Sequence, residues 1–495
     1  MQKVKVVLGA LFGDEGKGNT VQWLCQKALN DNEKPIVVRF SGGPQCGHRV
    51  IYNNLEHVCS LVGSGVLLGV PTFLGRNVYI DPISLKNEME VLMSKGITPE
   101  IYIDYKCRVI TPYDILQDCG DSQVKEHGTC GCGIHATFMR NLKYSSNTFN
   151  VTYALGFPES YLREVRINYL KNVDEIKFIE ACSWLCDHIK VMSEDWLVRY
   201  DTLIFEGSQG LLLDMDNGLM PHCTPSRVGL NGIPVKYLDD AEVYLVLRSY
   251  LTRHGNGYEP LHEDCIRSNY KNLEEPTNLD NGPQGKFKIG VLDLTLLRDA
   301  FVRHCLDNYT RMYNVKYNLV ITHMDCTNGT IPVIRDRWHN PYVITPSDFD
   351  FDIIRIHDIY LGYGPNSLFK KVEEDYLYFF FIVMCYINDK TSKGPKRAKK
   401  DVECWKIMDL LLDGGKEVLY SPIVPGPGYN IGDTIHCAVR KFKNNRLNAW
   451  WLHRKRLFNG EVVHAYIKKS GGSRSYRPWV RCVIPKGSYY WTDGD

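Results

Sequence analysis

Along most of the chain, short β-branched apolar runs alternate with segments of helical period. "VKVVLG" (4–9), "KPIVVRF" (34–40), "TLIFEG" (202–207), "AEVYLVL" (241–247) and "YNLVITHM" (317–324) read as buried strands. "PISLKNEMEVLMSKG" (82–96) and "LTLLRDAFVRHCLDNYTRMY" (294–313) repeat their apolar residues every three or four positions, as helices with one buried face do. Strands and helices in alternation predict an α/β fold with a large, mostly parallel central sheet flanked by helices. The pattern changes near residue 390. "NDKTSKGPKRAKK" (388–400) is basic, has Gly394 and Pro395, and lacks any apolar period. It predicts a linker over 390–403 between a first domain (1–389) and a small, basic, β-rich C-terminal domain (404–495), with a short helix expected in "DVECWKIMDLLLDGG" (401–415). No internal repeat is visible.

Charge sharpens that division. From Lys390 onward there are 21 Lys and Arg against 9 Asp and Glu; before it the balance is 38 against 48. The 17 cysteines are scattered and odd in number with no C-x-x-C pair, which fits a reducing, cytoplasmic compartment better than a disulfide framework. The opening "MQKVKVVLGALFG" runs straight into Asp14, Glu15 and Lys17, so it reads as the first strand rather than a leader. The apolar run "YLYFFFIVMCYI" (376–387), at twelve residues, is short of a bilayer span and is expected to be a buried strand or helix, with no membrane partner.

Candidate chemistry sits where strands end in glycine-rich loops. "GDEGKG" (13–18) follows the first strand, but Leu11 and Gly18 break the G-x-x-x-x-G-K-[ST] spacing, so it is not that phosphate loop. Its backbone N–H groups, Lys17 and Asp14 still suit an anion, with a carboxylate placed to meet a metal or take a proton. "SGGPQCGHRV" (41–50) offers Gln45 and His48, "GTCGCG" (128–133) is a second anion-type loop, and "EGSQGLLLDMDNGLMPHCTPS" (206–226) offers Gln209 and Thr224. Open parallel sheets bind ligands at such loops.

Taken in order, "GALFGDEGKGNTVQWL", "SGGPQCGHRV", "EGSQGLLLDMDNG" with "PHCTPS", "YLTRHGNGYEP", "GVLDL", "THMD" and "LGYGP" resemble the signature segments of the adenylosuccinate synthetase family, over about residues 1–372. The resemblance implies a carbon–nitrogen ligase joining L-aspartate to inosine monophosphate with GTP and Mg²⁺, as a homodimer. It implies Asp14 as proton acceptor, His48 and Lys17 as stabilisers of the transferring phosphoryl group, and Asp14 with the Gly47 carbonyl as metal ligands. Gln45, Thr129, Gln209 and Thr224 fall where the family binds the purine monophosphate. Gly13, Glu15, Gly16, Gly18, His323, Asp325, Gly364 and Pro365 fall where it binds GTP, Asp325 reading guanine.

The chain also departs from the family. The arginine-rich segment that grips aspartate reads "GPQGKFKIGVLDL" (282–294), so Lys286 and Lys288 stand for arginines and Arg253, Arg267 or His254 become alternative carboxylate ligands. Cys130 and Cys132 replace a threonine and an arginine. Arg140 and Lys143 lie near the register of the arginine that crosses to the partner subunit, and His323 replaces a lysine before Asp325. Two alternatives stay open. One is a phage-type enzyme taking dGMP towards a 2-aminoadenine nucleotide, with ATP in place of GTP also open. The other is a catalytically weakened nucleotide-binding scaffold whose basic, aromatic tail (439–481) binds nucleic acid.

Overall fold

The computed structural model describes residues 2–120, 130–143, 149–167, 169, 173–271, 273, 286–305, 313–346, 349, 356–365 and 368–372. Beyond these, it describes only the backbone of strands between 380 and 492. Contacts divide the chain into two units, Met1–Phe349 with Ile353–Lys371, and Asp350–Asp352 with Val372–Asp495. This division falls earlier than the composition break at 390, because Phe380–Phe381 pair with Ile407–Met408 of the second unit. The linker expected at 390–403 lies outside the described residues, as does most of the apolar run 376–387.

The first unit is built on a ten-stranded sheet. Its strands are β1 (Lys3–Gly9), β2 (Pro35–Arg39), β3 (Thr72–Leu74), β4 (Ile101–Asp104), β5 (Lys190–Met192), β6 (Thr202–Gly210), β7 (Glu242–Arg248), β8 (Lys316–Thr322), β9 (Ile356–Tyr363) and β10 (Leu368–Lys371). Their order across the sheet is β10-β9-β8-β7-β1-β6-β2-β3-β4-β5. Every neighbouring pair is parallel except β9 and β10. The mostly parallel α/β sheet expected from the alternation is therefore present, and the five runs read as strands within 4–324 form β1, β2, β6, β7 and β8.

Helix α1 (Lys17–Asn30) carries the chain from β1 to β2 and presents Val21, Leu24, Cys25 and Ala28 on one buried stripe. That stripe packs on Val7, Val37, Ile204 and Val246 from four neighbouring strands. The outer segments of helical period form helices at Pro82–Ser94, with Asp81 as its N-cap, and at Leu294–Cys305, while residues 306–312 of the second expected segment lie outside the described residues. A second core gathers β3 and β4 against Pro82–Ser94, Pro158–Arg166 and Ile176–His188.

Strand β6 enters between β1 and β2 only after β1–β5 have formed in sequence, and the chain then crosses β1 to lay down β7. The loops after β1, β2, β6, β7 and β8 consequently open side by side at the carboxyl edge, where open sheets hold ligands.

In the second unit the described strands form one seven-stranded antiparallel sheet and a separate antiparallel pair, Arg456–Asn459 with Tyr489–Thr492. The helix expected in 401–415 is corrected to a strand, Ile407–Leu412, paired with Lys416–Tyr420. Asp-Gly-Gly between two apolar runs is hairpin chemistry, and it outweighs the short helical period.

A candidate nucleotide site at the carboxyl edge of the sheet

The loop after β1 is bent by three left-handed residues in close succession, Gly13 (φ 98°), Asp14 (φ 58°) and Gly16 (φ 93°). Gly16 is the N-cap of α1 and offers no capping side chain, and the first turn has no acidic residue. Lys17 occupies the first helical position at 2% exposure. A buried cation at the positive end of a helix is unfavourable by itself. An anion resting on those N–H groups and on Lys17 reverses the sign. Glu15 compensates in part, its Oε2 lying 3.6 Å from Lys17 Nζ while Oε1 accepts from Leu11 N at 2.6 Å. Burial pushes the Glu15 carboxyl above its usual range, against the pull of Lys17. Thr322 at the end of β8 ties the loop down by donating to Glu15 O at 2.7 Å.

A cavity of about 750 Å³ opens from this loop. It brings together Gly13, Asp14, Glu15, Gly16, Lys17, Gly18, Gln45, Gly47, His48, Gln209, Thr224, Arg253, His323, Asp325, Gly364 and Pro365. Thr129 lies outside the described residues. Lys286 and Lys288 do not line the cavity: Lys286 is exposed, and Lys288 Nζ is 2.5 Å from Glu259 Oε2. Arg267 is exposed and bound to Glu263 Oε1 at 2.7 Å, so of the alternatives only Arg253 and His254 face the cavity. Arg140 is buried and held by Asp114 at 2.8 Å and by Val109 O at 2.7 Å, which leaves it unable to reach across to a partner subunit.

His48 is set by residues that sequence reasoning did not single out. Its Nδ1 is 2.5 Å from Glu206 Oε1 and its Nε2 is 3.4 Å from Ser208 O. Glu206 lies opposite Arg39 in the β2–β6 ladder, and it accepts from Ser64 N at 3.0 Å and from the Ser64 hydroxyl. Burial raises the Glu206 carboxyl, but Arg39, His48 and Ser64 outweigh it and hold the pKa at about 2. Burial lowers the His48 pKa against the pull of Glu206, with Arg39 and Lys17 acting in the same direction as burial. The imidazole therefore rests neutral, with Nδ1–H donated to an ionised Glu206.

Gln45 Oε1 and Gln209 Oε1 in the cavity lining are buried without a hydrogen-bond partner among the described residues, as a site awaiting a polar heterocycle would have them. His323 takes a left-handed conformation (φ 59°) and binds Thr322 Oγ1 at 2.9 Å, while burial and Arg248 hold its pKa well below the usual value. Asp325 is exposed to the cavity and accepts from Gly364 N at 2.8 Å. Asp14 and the backbone of Gly47 both line the cavity, and a carboxylate with a carbonyl oxygen is a donor set that suits a hard divalent cation.

Fold and site together define an α/β protein with a cavity, lined by a helix N-terminus and a buried lysine, at the carboxyl edge of a mostly parallel sheet. The family's sequence model, described as Adenylosuccinate synthetase, matches residues 6–333, and the chain belongs to the adenylosuccinate synthetase family. It is 32% identical over 289 residues to the adenylosuccinate synthetase of Blochmanniella pennsylvanica, covering 52% of this chain and 65% of that one. Against the enzyme of Buchnera aphidicola subsp. Baizongia pistaciae it is 26% identical over 405 residues, 73% of this chain and 89% of that one. The first of these matches thus spans just under two thirds of its relative's length. Among solved structures, fully ligated adenylosuccinate synthetase from Plasmodium falciparum shares the fold, with a TM-score of 0.54 at 19% identity over 74% of this chain and 98% of that one.

Proposed function

We propose that the protein joins L-aspartate to C6 of a purine nucleoside monophosphate, IMP, with hydrolysis of GTP through a 6-phosphoryl intermediate. The observation that carries this reading is the convergence of Asp14, Lys17 and His48, from two separate loops, on the N-terminus of α1 in one cavity. Asp14 takes the proton from N1 of the hypoxanthine, and the 6-oxygen so activated bonds to the γ-phosphorus as the β–γ oxygen leaves with GDP. Lys17 and the α1 N–H groups hold the charge that builds on the transferring group, and His48, becoming protonated beside the ionised Glu206 as that charge develops, donates to it from Nε2. The aspartate amine then bonds to C6, phosphate departs from it, and the amine gives up a proton. Mg²⁺ held by Asp14 and the Gly47 carbonyl would neutralise phosphate oxygens during transfer.

Gln45, Gln209 and Thr224 take the monophosphate. Asp325, with Gly364 and Pro365 beside it, takes guanine by accepting from its N1–H and 2-amino group. A homodimer in a reducing cytoplasm belongs to the same proposal. So does nucleic acid as a partner of the basic second unit, for which full-length chain should shift labelled single-stranded DNA or RNA at low salt.

The test incubates purified protein with Mg²⁺, aspartate and either GTP or ATP, offering IMP, GMP and dGMP separately, and weighs the products. A succinylated IMP formed with GTP is expected. A succinylated dGMP instead would replace the substrate, and phosphate release without any adduct would overturn the ligase reading.

A further inference from the structure

Lys286 and Lys288 stand outside the cavity, whereas Arg253, one of the alternative carboxylate ligands, lines it as a buried cation with N–H groups still open. Arg253 is 4% exposed. Its Nη2 donates to Asn256 O, and its Nε and Nη1 have no hydrogen-bond partner among the described residues. Its guanidinium lies over the Phe12 ring, 4.4 Å from the centroid, which fixes the plane without using an N–H. Burial holds Arg253 below the ordinary guanidinium range, at about 10, so it stays charged at neutral pH.

The residues around it are polar and aimed alike. His254 Nε2 is buried without a hydrogen-bond partner, and its ring packs 4.8 Å from Phe287. His222 and Arg253 meet over Gly257, where a Cβ would come within 3.0 Å of His222 Cδ2 and 3.2 Å of Arg253 Nη2. All three side chains line the cavity. Arg253 also adjoins the catalytic loop, since Phe12 immediately precedes Gly13 and Thr252 Oγ1 donates to Gly13 O at 3.4 Å. A ligand on Arg253 therefore lies beside Asp14 and is spatially tied to the reacting loop.

We infer that Arg253, with His254 and His222, forms the amino-dicarboxylate subsite of this protein, in place of the 286–288 segment. The inference rests on the ligase reading for the identity of its ligand. The binding chemistry does not: a desolvated guanidinium with three open N–H groups on Nε and Nη1 binds one carboxylate, and the histidines face the remainder of the same small acid. The transferring phosphoryl group has its own cationic end at Lys17 and α1, so Arg253 serves a different anion.

The experiment uses full-length protein as wild type, Arg253→Lys, Arg253→Gln and His254→Val. Thermal melts are recorded with succinate, which carries both carboxylates but no amine, and separately with IMP; aspartate KM is measured wherever turnover is seen. Succinate should raise the melting temperature of the wild type and fail to do so in Arg253→Gln, while IMP still raises it in both, which also shows that the variant is folded. Aspartate KM should rise about 10- to 100-fold in Arg253→Lys, with smaller changes for the nucleotides, because an ammonium loses the planar fork. His254→Val should show a smaller rise.

Loss of the IMP response with the succinate response kept would make Arg253 a phosphate ligand and overturn the inference. So would an unchanged aspartate KM in a catalytically active Arg253→Gln. A succinate response that depends on Arg253 in a protein that forms no adduct would retain the subsite and reject the ligase reading.

Discussion

Glu206 on β6 and Arg39 on β2 face each other across a parallel ladder, both buried, and the carboxylate so fixed holds His48 Nδ1 at 2.5 Å. A charge pair at the centre of a sheet is costly to desolvate, and it persists because each charge has other partners: Arg39 donates to Ser208 Oγ at 3.1 Å and to Val62 O at 3.3 Å. Glu206 thereby sets which imidazole nitrogen carries the proton. Glu206→Gln should lower kcat about 10- to 100-fold and leave the KM values within about threefold, since it disturbs a group that acts on the transition state. A rise in KM at unchanged kcat would assign the pair to binding instead.

The same pair makes stability depend on pH. Glu206 titrates at about 2 in the fold against 4.5 for the free side chain, so the unfolded chain binds the proton more readily. Its contribution, about 3 kcal/mol at 1.36 kcal/mol per unit, is complete above the unfolded value and is lost as pH falls from 4.5 towards 2. Urea denaturation of wild type and Glu206→Gln should show a stability gap at pH 6 that narrows at pH 3. A gap independent of pH would refute the assignment.

Arg253 works in the opposite sense. A base whose pKa is depressed on folding destabilises the fold at every pH below that value, and the penalty is relieved only as pH rises through about 10. Arg253→Met should make the ligand-free protein more stable, by about 1–2 kcal/mol after allowing for the contact with Phe12. Denaturant midpoints of the two proteins at pH 7 decide this. A less stable variant would mean that the guanidinium is compensated within the fold.

Gly16 and Gly96 separate backbone strain from crowding. Both take a positive φ, 93° and 81°, but a Cβ on Gly16 would come within 2.9 Å of Thr322 Cγ2 whereas one on Gly96 meets nothing within 4 Å. Each alanine variant should lose about 1 kcal/mol from the left-handed backbone. Only Gly16→Ala should also abolish nucleotide binding, because it displaces the threonine that anchors the Glu15 carbonyl. Calorimetric titration with GTP distinguishes the two, and equal affinities would remove Gly16 from the anion site.

Asp325 lies in the cavity with one oxygen on Gly364 N at 2.8 Å. Asp325→Ala should cut the preference for GTP over ATP by about 10- to 100-fold, by removing the acceptor that only guanine satisfies. Competition between the two triphosphates in a turnover assay reads the ratio directly, and an unchanged ratio would place base recognition elsewhere.

The parallel sheet, α1 and the glycine loops were legible in the sequence because they follow from local pattern. β-branched runs make strands, an apolar stripe at Val21, Leu24, Cys25 and Ala28 makes a packed helix, and glycines mark the loop where φ turns positive. Asp14, Lys17, His48, Gln209 and Asp325 were legible because each stands in a short segment with its own signature. Glu206 was not, although it sits within a quoted segment, since in sequence it is one more acid after a strand. Only the insertion of β6 between β1 and β2 brings it against Arg39 and His48. Lys286 and Lys288 erred in the other direction: a basic segment in the right register predicted a carboxylate site, but Glu259 had already engaged Lys288. Sequence fixes the types of side chain and the order of the loops. Desolvation and pairing, which depend on every neighbour in space, determine which charges keep open donors, and Arg253 is one of these among the described residues.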